Sequence, residues 1–179
     1  MRFAGSNWSP GVVRVRQITM DSPLYVQECR LREQALLRPV GLDMAGFRAT
    51  FPGVEERFEH FVAVVDGPLG ERVVGCATLL PAFPESGVGK LMQMAVDPQR
   101  QGEGIGRLLV VTIESRAFGA LGLRRLFCHA RAPARGFYES LGWQVESEAF
   151  EEVGIPHWRL GISAPDRGGE DDPAPPPQD

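Results

Sequence analysis

Cysteine and histidine are both scarce in this 179-residue chain, with three of each, and that scarcity excludes several kinds of chemistry. Cys29, Cys76 and Cys128 are far apart and odd in number, so they make no disulfide framework. Two of them sit inside apolar segments, where a thiol behaves as a small hydrophobe. The scattered histidines give no metal-ligand spacing, with no H-E-x-x-H, no C-x-x-C and no Ser-His-Asp arrangement, so no metal is expected. Long apolar runs are missing too. None approaches the eighteen or so residues of a membrane-spanning helix. The leading MRFAGSNWSPG lacks the apolar region of a signal peptide, so a cytoplasmic address and no membrane partner are expected. Basic clusters such as Arg124-Arg125, and Arg131 with Arg135, are too short to argue for nucleic acid. There is no internal repeat.

What is present is the composition of a globular protein, 43% hydrophobic and 23% charged, on a chain long enough to bury a core unaided. The net charge of −4 is local, because Asp166, Glu170, Asp171, Asp172 and Asp179 against Arg167 account for all of it. Residues 164–179 are acidic, proline-rich and poor in large apolar side chains, so they bury too little to offset ordering and are expected to be disordered. Residues 1–10 show no periodicity and read as a loose lead-in, which leaves one folded domain over residues 11–163.

Within that domain, residues 12–19 alternate apolar and polar and predict a strand. Asp21-Ser22-Pro23 starts a helix that runs to about Leu37. Pro39, Gly41, Pro52 and Gly53 interrupt the next segment, leaving room for a short helix over 44–50 and a turn over 54–59. Residues 61–65 and 72–80 predict a strand hairpin, and a further strand begins at Lys90. A helix follows from Ile105 to near Gly119 or Gly122, then a strand over 126–129. A helical crossover makes that strand parallel to its predecessor. Pro133 and Gly142 frame another short helix, and two strands over 143–152 and 155–162 close the domain around Gly154. The order predicts an α/β fold with a mixed, mostly antiparallel sheet.

The chain is organised around residues 91–109, LMQMAVDPQRQGEGIGRLL, where a strand meets three alternating glycines and then an apolar helix. Glycines allow close backbone approach, and the first amides of a helix have no intrahelical partner, so such a junction holds anions, phosphates above all. The dinucleotide pattern G-x-G-x-x-G fails because Gly106 comes one residue early, and the P-loop pattern fails because no lysine follows. The pattern that fits is Q-x-x-G-x-G, from Gln101 to Gly106, after Met94-Ala95-Val96-Asp97-Pro98. It resembles the acetyl-CoA-binding motif of the GNAT N-acetyltransferase superfamily. A second stretch, Ala134 to Trp143, resembles that family's fourth-helix pattern A-x-x-F-Y-x-x-x-G-[FW], with F-Y-x-x-L-G-W as its core. Residues 150–157 resemble the closing E-x-G-I-P-H hairpin of small ElaA-like members.

The resemblance implies a GNAT-like sheet with its parallel strand pair splayed at an acetyl-CoA cleft and about four flanking helices. It implies that Met94, Ala95 and Val96 meet the pantetheine arm, and that Gln101, Gly102, Glu103, Gly104, Ile105, Gly106 and Arg107 wrap the pyrophosphate. A bulge in the motif strand would free the Met94 N–H for the thioester oxyanion. Tyr138 would be the general acid, because a phenol stays protonated at neutral pH and can give its proton to the departing thiolate. The base is open among Glu151, Glu152, His157 and His129, each of which could equally be structural. Function is then an acetyl-CoA-dependent N-acetyltransferase that uses acetyl-CoA as co-substrate without a metal. Its partner is an amine-bearing acceptor not readable from the sequence, and the protein is a monomer or homodimer. A non-catalytic acyl-CoA sensor and a transferase of another short acyl group are the alternatives.

Overall fold

The computed structural model describes residues 11–165. The expected lead-in over 1–10 and the tail from 166 onward lie outside the described residues. Eight strands form one sheet: β1 (Arg14–Ile18), β2 (Glu59–Gly67), β3 (Gly70–Pro81), β4 (Val88–Val96), β5 (Arg125–Arg131), β6 (Gln144–Val145), β7 (Phe150–Glu152) and β8 (Ile155–Ser163). Their order is β1-β2-β3-β4-β5-β8-β6, with β7 also on β8, and every pairing is antiparallel except β4 with β5. Among the described residues four α-helices flank the sheet: α1 (Pro23–Arg32), α2 (Met44–Thr50), α3 (Ile105–Glu114) and α4 (Ala132–Glu139). None of the described helices is long and apolar enough to cross a membrane.

Local chemistry accounts for the boundaries. Ser22 Oγ accepts from the Leu24 amide, and Pro23 opens α1 where its missing N–H costs nothing. The helix continues as a π-helical turn over Glu33–Leu37 and a 3₁₀ turn over Arg38–Val40. Asp43 caps α2 by accepting from the Gly46 amide at 2.7 Å. The β2–β3 hairpin closes on Pro68 and Leu69 alone, between the facing pair Gly67 and Gly70.

Strand alternation divides the core between the two faces of the sheet. On one face Ala63, Ala77, Leu79, Leu91, Leu126 and Cys128 pack against Ile105, Leu109 and Ile113 of α3 and Tyr138 of α4. On the other, Val62, Val64, Val73 and Cys76 meet Leu24, Leu31, Ala35 and Leu36 of α1 and its π-helical extension, while Leu37, Met44, Phe47, Phe58 and Leu80 form an adjoining cluster. The predicted closing strand over 143–152 is instead two strands. Between them Ser147 Oγ accepts the Arg159 amide at 2.9 Å, so a side chain takes the place of a ladder carbonyl and the regular pairing is interrupted.

Candidate active site

The sheet opens at its parallel pair. Pairing of β4 with β5 ends at Leu91 and Cys128, although β4 continues to Val96 and β5 to Arg131. The cause lies in β4. Cys76 pairs with Ala95 and Thr78 with Met92, so Gln93 and Met94 together oppose Ala77, and this bulge turns β4 away from β5. Gln93 sits at φ +49, a costly conformation for a residue with a side chain. Its neighbours hold it there: Arg32 Nε donates to Gln93 Oε1 at 3.3 Å, and Thr78 Oγ1 donates to the Met92 carbonyl at 3.1 Å. β5 stays fixed to β8 along its whole length, from Arg125 opposite Ser163 to Arg131 opposite His157. The result is a V-shaped gap containing a cavity of about 230 Å³ that reaches both faces of the sheet.

On the α3 face the glycine loop adjoins this gap. The Asp97 amide donates to the Val74 carbonyl at 2.9 Å, and Asp97 Oδ1 accepts from the Gln99 amide at 3.0 Å, which turns the chain out of β4. Gly102 and Gly104 then lie at φ +82 and +80, where a side chain would be strained, and α3 begins at Ile105. A Cβ on Gly106 would stand 3.2 Å from Met94 Cε and 3.3 Å from Phe137 Cζ, so the first turn of α3 is seated directly on β4 and α4. Gln101, Gly102, Glu103, Gly104 and Arg107 are exposed, whereas the Ile105 side chain is buried and can offer a ligand only its amide. Glu103 is by type ill-suited to an anion site, but Arg100 neutralises it through Nε contacts of 2.7 and 2.8 Å. That bond holds the Glu103 carboxyl below its usual range. In β4, Met94 and Val96 are half-buried towards α3, while Ala95 is buried on the α1 face.

Tyr138 comes from α4 to the same gap. Its hydroxyl donates to Met94 Sδ at 3.5 Å, and its ring packs against Phe137 and Trp143 with centroids 5.0 and 5.3 Å away. Burial pushes the phenol well above its ordinary pKa, and the neighbouring Cys128 thiol adds to the effect, so this hydroxyl keeps its proton. Burial likewise pushes the Cys128 thiol up to about 12, which removes it as a nucleophile.

On the α1 face the gap is lined by Lys90, His129, Glu152 and His157. His129 Nδ1 lies 2.8 Å from Glu152 Oε2 and 3.3 Å from Lys90 Nζ. The hydrogen bond from His129 holds the Glu152 carboxyl below its ordinary value, with the Lys90 charge assisting. His157 Nδ1 is bound to the Ile155 carbonyl at 2.8 Å, and exposed Glu151 does not line the cavity. Three of the four base candidates are thus brought together. Sequence reading missed Lys90, Gln93 and the apolar wall of Leu36, Val40, Leu42 and Phe51. The position of Lys90 at the start of the motif strand was a usable signal; the strained backbone of Gln93 leaves none.

The sequence model of the Acetyltransferase (GNAT) family matches residues 27–143. The "Putative acetyltransferase BSU40680" of Bacillus subtilis (strain 168) is 35% identical over 149 residues, which is 81% of this chain and 92% of that protein. Among solved structures, Escherichia coli ElaA superposes with a TM-score of 0.68 at 15% identity, over 84% of this chain and 99% of its own. A GNAT family acetyltransferase from Elizabethkingia anophelis, solved with acetyl-CoA bound, gives a TM-score of 0.60 at 17% identity, over 84% and 97% of the two chains.

Proposed function

Because the chain belongs to the GNAT acetyltransferase family and is an acyltransferase drawing on an acyl-CoA, we propose that it transfers acetyl from acetyl-CoA to a primary amine in a ternary complex. The observation that carries this reading is the opening between β4 and β5, with the glycine loop and Tyr138 at one mouth and ionisable side chains at the other. Such a gap lets a thioester and an amine approach from opposite faces and meet in line.

Residues 11–163 are the catalytic domain in this reading, and the protein works in the cytoplasm. The amides from Gln101 to Arg107 hold the pyrophosphate, and the backbone of Met94, Ala95 and Val96 aligns the pantetheine arm. Ordered phosphate contacts at a helix N-terminus need no cationic side chain, which suits a loop whose one acid is already matched by Arg100. Acetyl-CoA supplies the activated carbonyl. The Met94 amide, presented by the bulge, stabilises the oxyanion, and Tyr138 gives its proton to the leaving sulfur. A buried phenol with a raised pKa is protonated across the physiological range, as that role requires.

Mixing the protein with acetyl-CoA and a panel of primary amines, and following thiol release, tests the proposal. Release that depends on both partners, with the amide identified by mass spectrometry, is the expected result. Saturable acetyl-CoA binding without release across the panel would instead mark an acyl-CoA sensor.

A further inference from the structure

The roles assigned so far leave unused the pair that closes the cavity on the α1 face. With Glu152 Oε2 as acceptor 2.8 Å away, His129 Nδ1 carries the ring proton, and in the neutral ring the lone pair is then on Nε2. Among the described residues Nε2 has no hydrogen-bond partner, and the ring lines the cavity. Resting on the acetyl-transfer reading, we infer that His129 takes the proton of the acceptor ammonium, that Glu152 orients it, and that the acceptor is a small amine on an apolar body.

The neighbours decide between this imidazole and the alternatives. The charged and titratable groups facing His129 are Lys90 from β4, Arg131 from its own strand, Glu152 from β7, and His157 and Arg159 from β8. His157 is bound by a neutral carbonyl, which fixes a tautomer but stabilises an imidazolium less than a carboxylate does, whereas the Glu152 carboxylate does both. Lys90, the only lysine of the sequence, is held between Phe83 and Phe127. Its charge keeps Glu152 ionised and thereby keeps the His129 proton on Nδ1.

The acceptor class follows from what lines the rest of the cavity. Every side chain that the segment after α1 contributes is apolar, and Phe51 and Val153 stand exposed at the rim. The volume of about 230 Å³ is below the roughly 300–1,000 Å³ of sites for drug-sized ligands. Lys90 and Arg131 line it too, so an acceptor with a second cation meets repulsion.

His129 Nε2 removes one proton from the ammonium, the freed amine nitrogen bonds to the thioester carbon, and the carbon–sulfur bond breaks. The nitrogen sheds its second proton to solvent, Tyr138 gives its own proton to the thiolate and regains one from solvent, and so in net one proton ends on the thiol and one, taken by His129, is released.

The test measures kcat/KM against pH for phenethylamine and for spermidine, with His129→Gln, Glu152→Gln and His157→Gln beside the parent. Thermal melts and acetyl-CoA calorimetry accompany each variant. His129→Gln is expected to lose about 10²-fold in kcat and the acid limb of the profile, with acetyl-CoA affinity unchanged. Glu152→Gln moves that limb to lower pH, and His157→Gln keeps it. The parent prefers phenethylamine over spermidine by roughly tenfold or more. If His129→Gln does not melt cooperatively, the limb shift in Glu152→Gln decides. Retention of rate and limb in His129→Gln, loss of the limb in His157→Gln, or preference for spermidine overturns the inference while transfer by the parent still stands. A parent without amine-dependent thiol release across the full amine panel overturns both readings.

Discussion

Replacing Glu55 by leucine strips a fully buried guanidinium of its main partner. Arg32 of α1 is 0% exposed and Glu55 is 2% exposed, and they share two hydrogen bonds, Nη1 to Oε1 at 2.5 Å and Nη2 to Oε2 at 3.0 Å. What remains for Arg32 is Glu28 at 3.4 Å, Gln93 at 3.3 Å and the faces of Phe47 and Phe58. Breaking a buried pair from one side costs about 3–5 kcal/mol, and the surviving Glu28 contact places Glu55→Leu near the lower end. Arg32→Met should cost as much or more, because it leaves Glu28 and Glu55 together without their cation. The double variant Arg32→Met/Glu55→Leu should recover part of the loss, since two apolar side chains then replace a pair whose desolvation was itself costly, while Glu28 still lacks its guanidinium. Urea unfolding of the four proteins closes the cycle. Single-variant losses below about 1 kcal/mol, or strictly additive losses, would refute the reasoning. Arg32 also holds Gln93, so Arg32→Met should lower transfer activity beyond its effect on the folded fraction.

The same network makes stability depend on pH. Burial raises the Glu55 carboxyl, but the hydrogen bonds and charge of Arg32 outweigh it and the folded pKa is lowered. The stability it contributes is therefore present above the unfolded carboxylate pKa, about 4.3, and is lost as pH falls through the lower folded value. Urea midpoints measured downward from neutral should show this fall in the parent and less of it in Glu55→Gln. Tyr138→Phe should lower kcat by about 10²-fold while the melting temperature barely moves, because the lost hydroxyl's neighbours are the weakly hydrogen-bonding sulfurs of Met94 and Cys128. Gly104→Val should weaken acetyl-CoA binding in calorimetry: open space surrounds the position, so the cost lies in the backbone at φ +80, on the order of 1–2 kcal/mol. Leu109→Ala, at a fully buried position on α3, should destabilise by about 2–5 kcal/mol in urea, without any contact to the cavity.

The backbone geometry of the glycine loop, the proposed donor side, was legible in the sequence because it is written in local backbone chemistry. Glycines that must sit at positive φ, an aspartate that turns the chain and a proline after it leave marks in order along 97–106. The succession of strands and helices followed from alternation and helical spacing, and the parallel pairing of β4 with β5 from the helical crossover between them. The proposed acceptor side was not legible. Lys90, His129 and Glu152 come from three strands, and their meeting depends on register between β4 and β5 and on the β7–β8 hairpin. Glu55 and His60, in and just after the segment that prolines and glycines interrupt, are buried in the Arg32 network. Single residues there carry no mark of their partners.

The most direct measurement is the titration of acetyl-CoA into ¹⁵N-labelled protein, followed amide by amide. The account predicts saturable shifts largest at Met94, Ala95, Val96 and the amides from Gln101 to Arg107, with smaller ones around Tyr138. Saturable binding that leaves those amides unmoved and shifts another surface would contradict it.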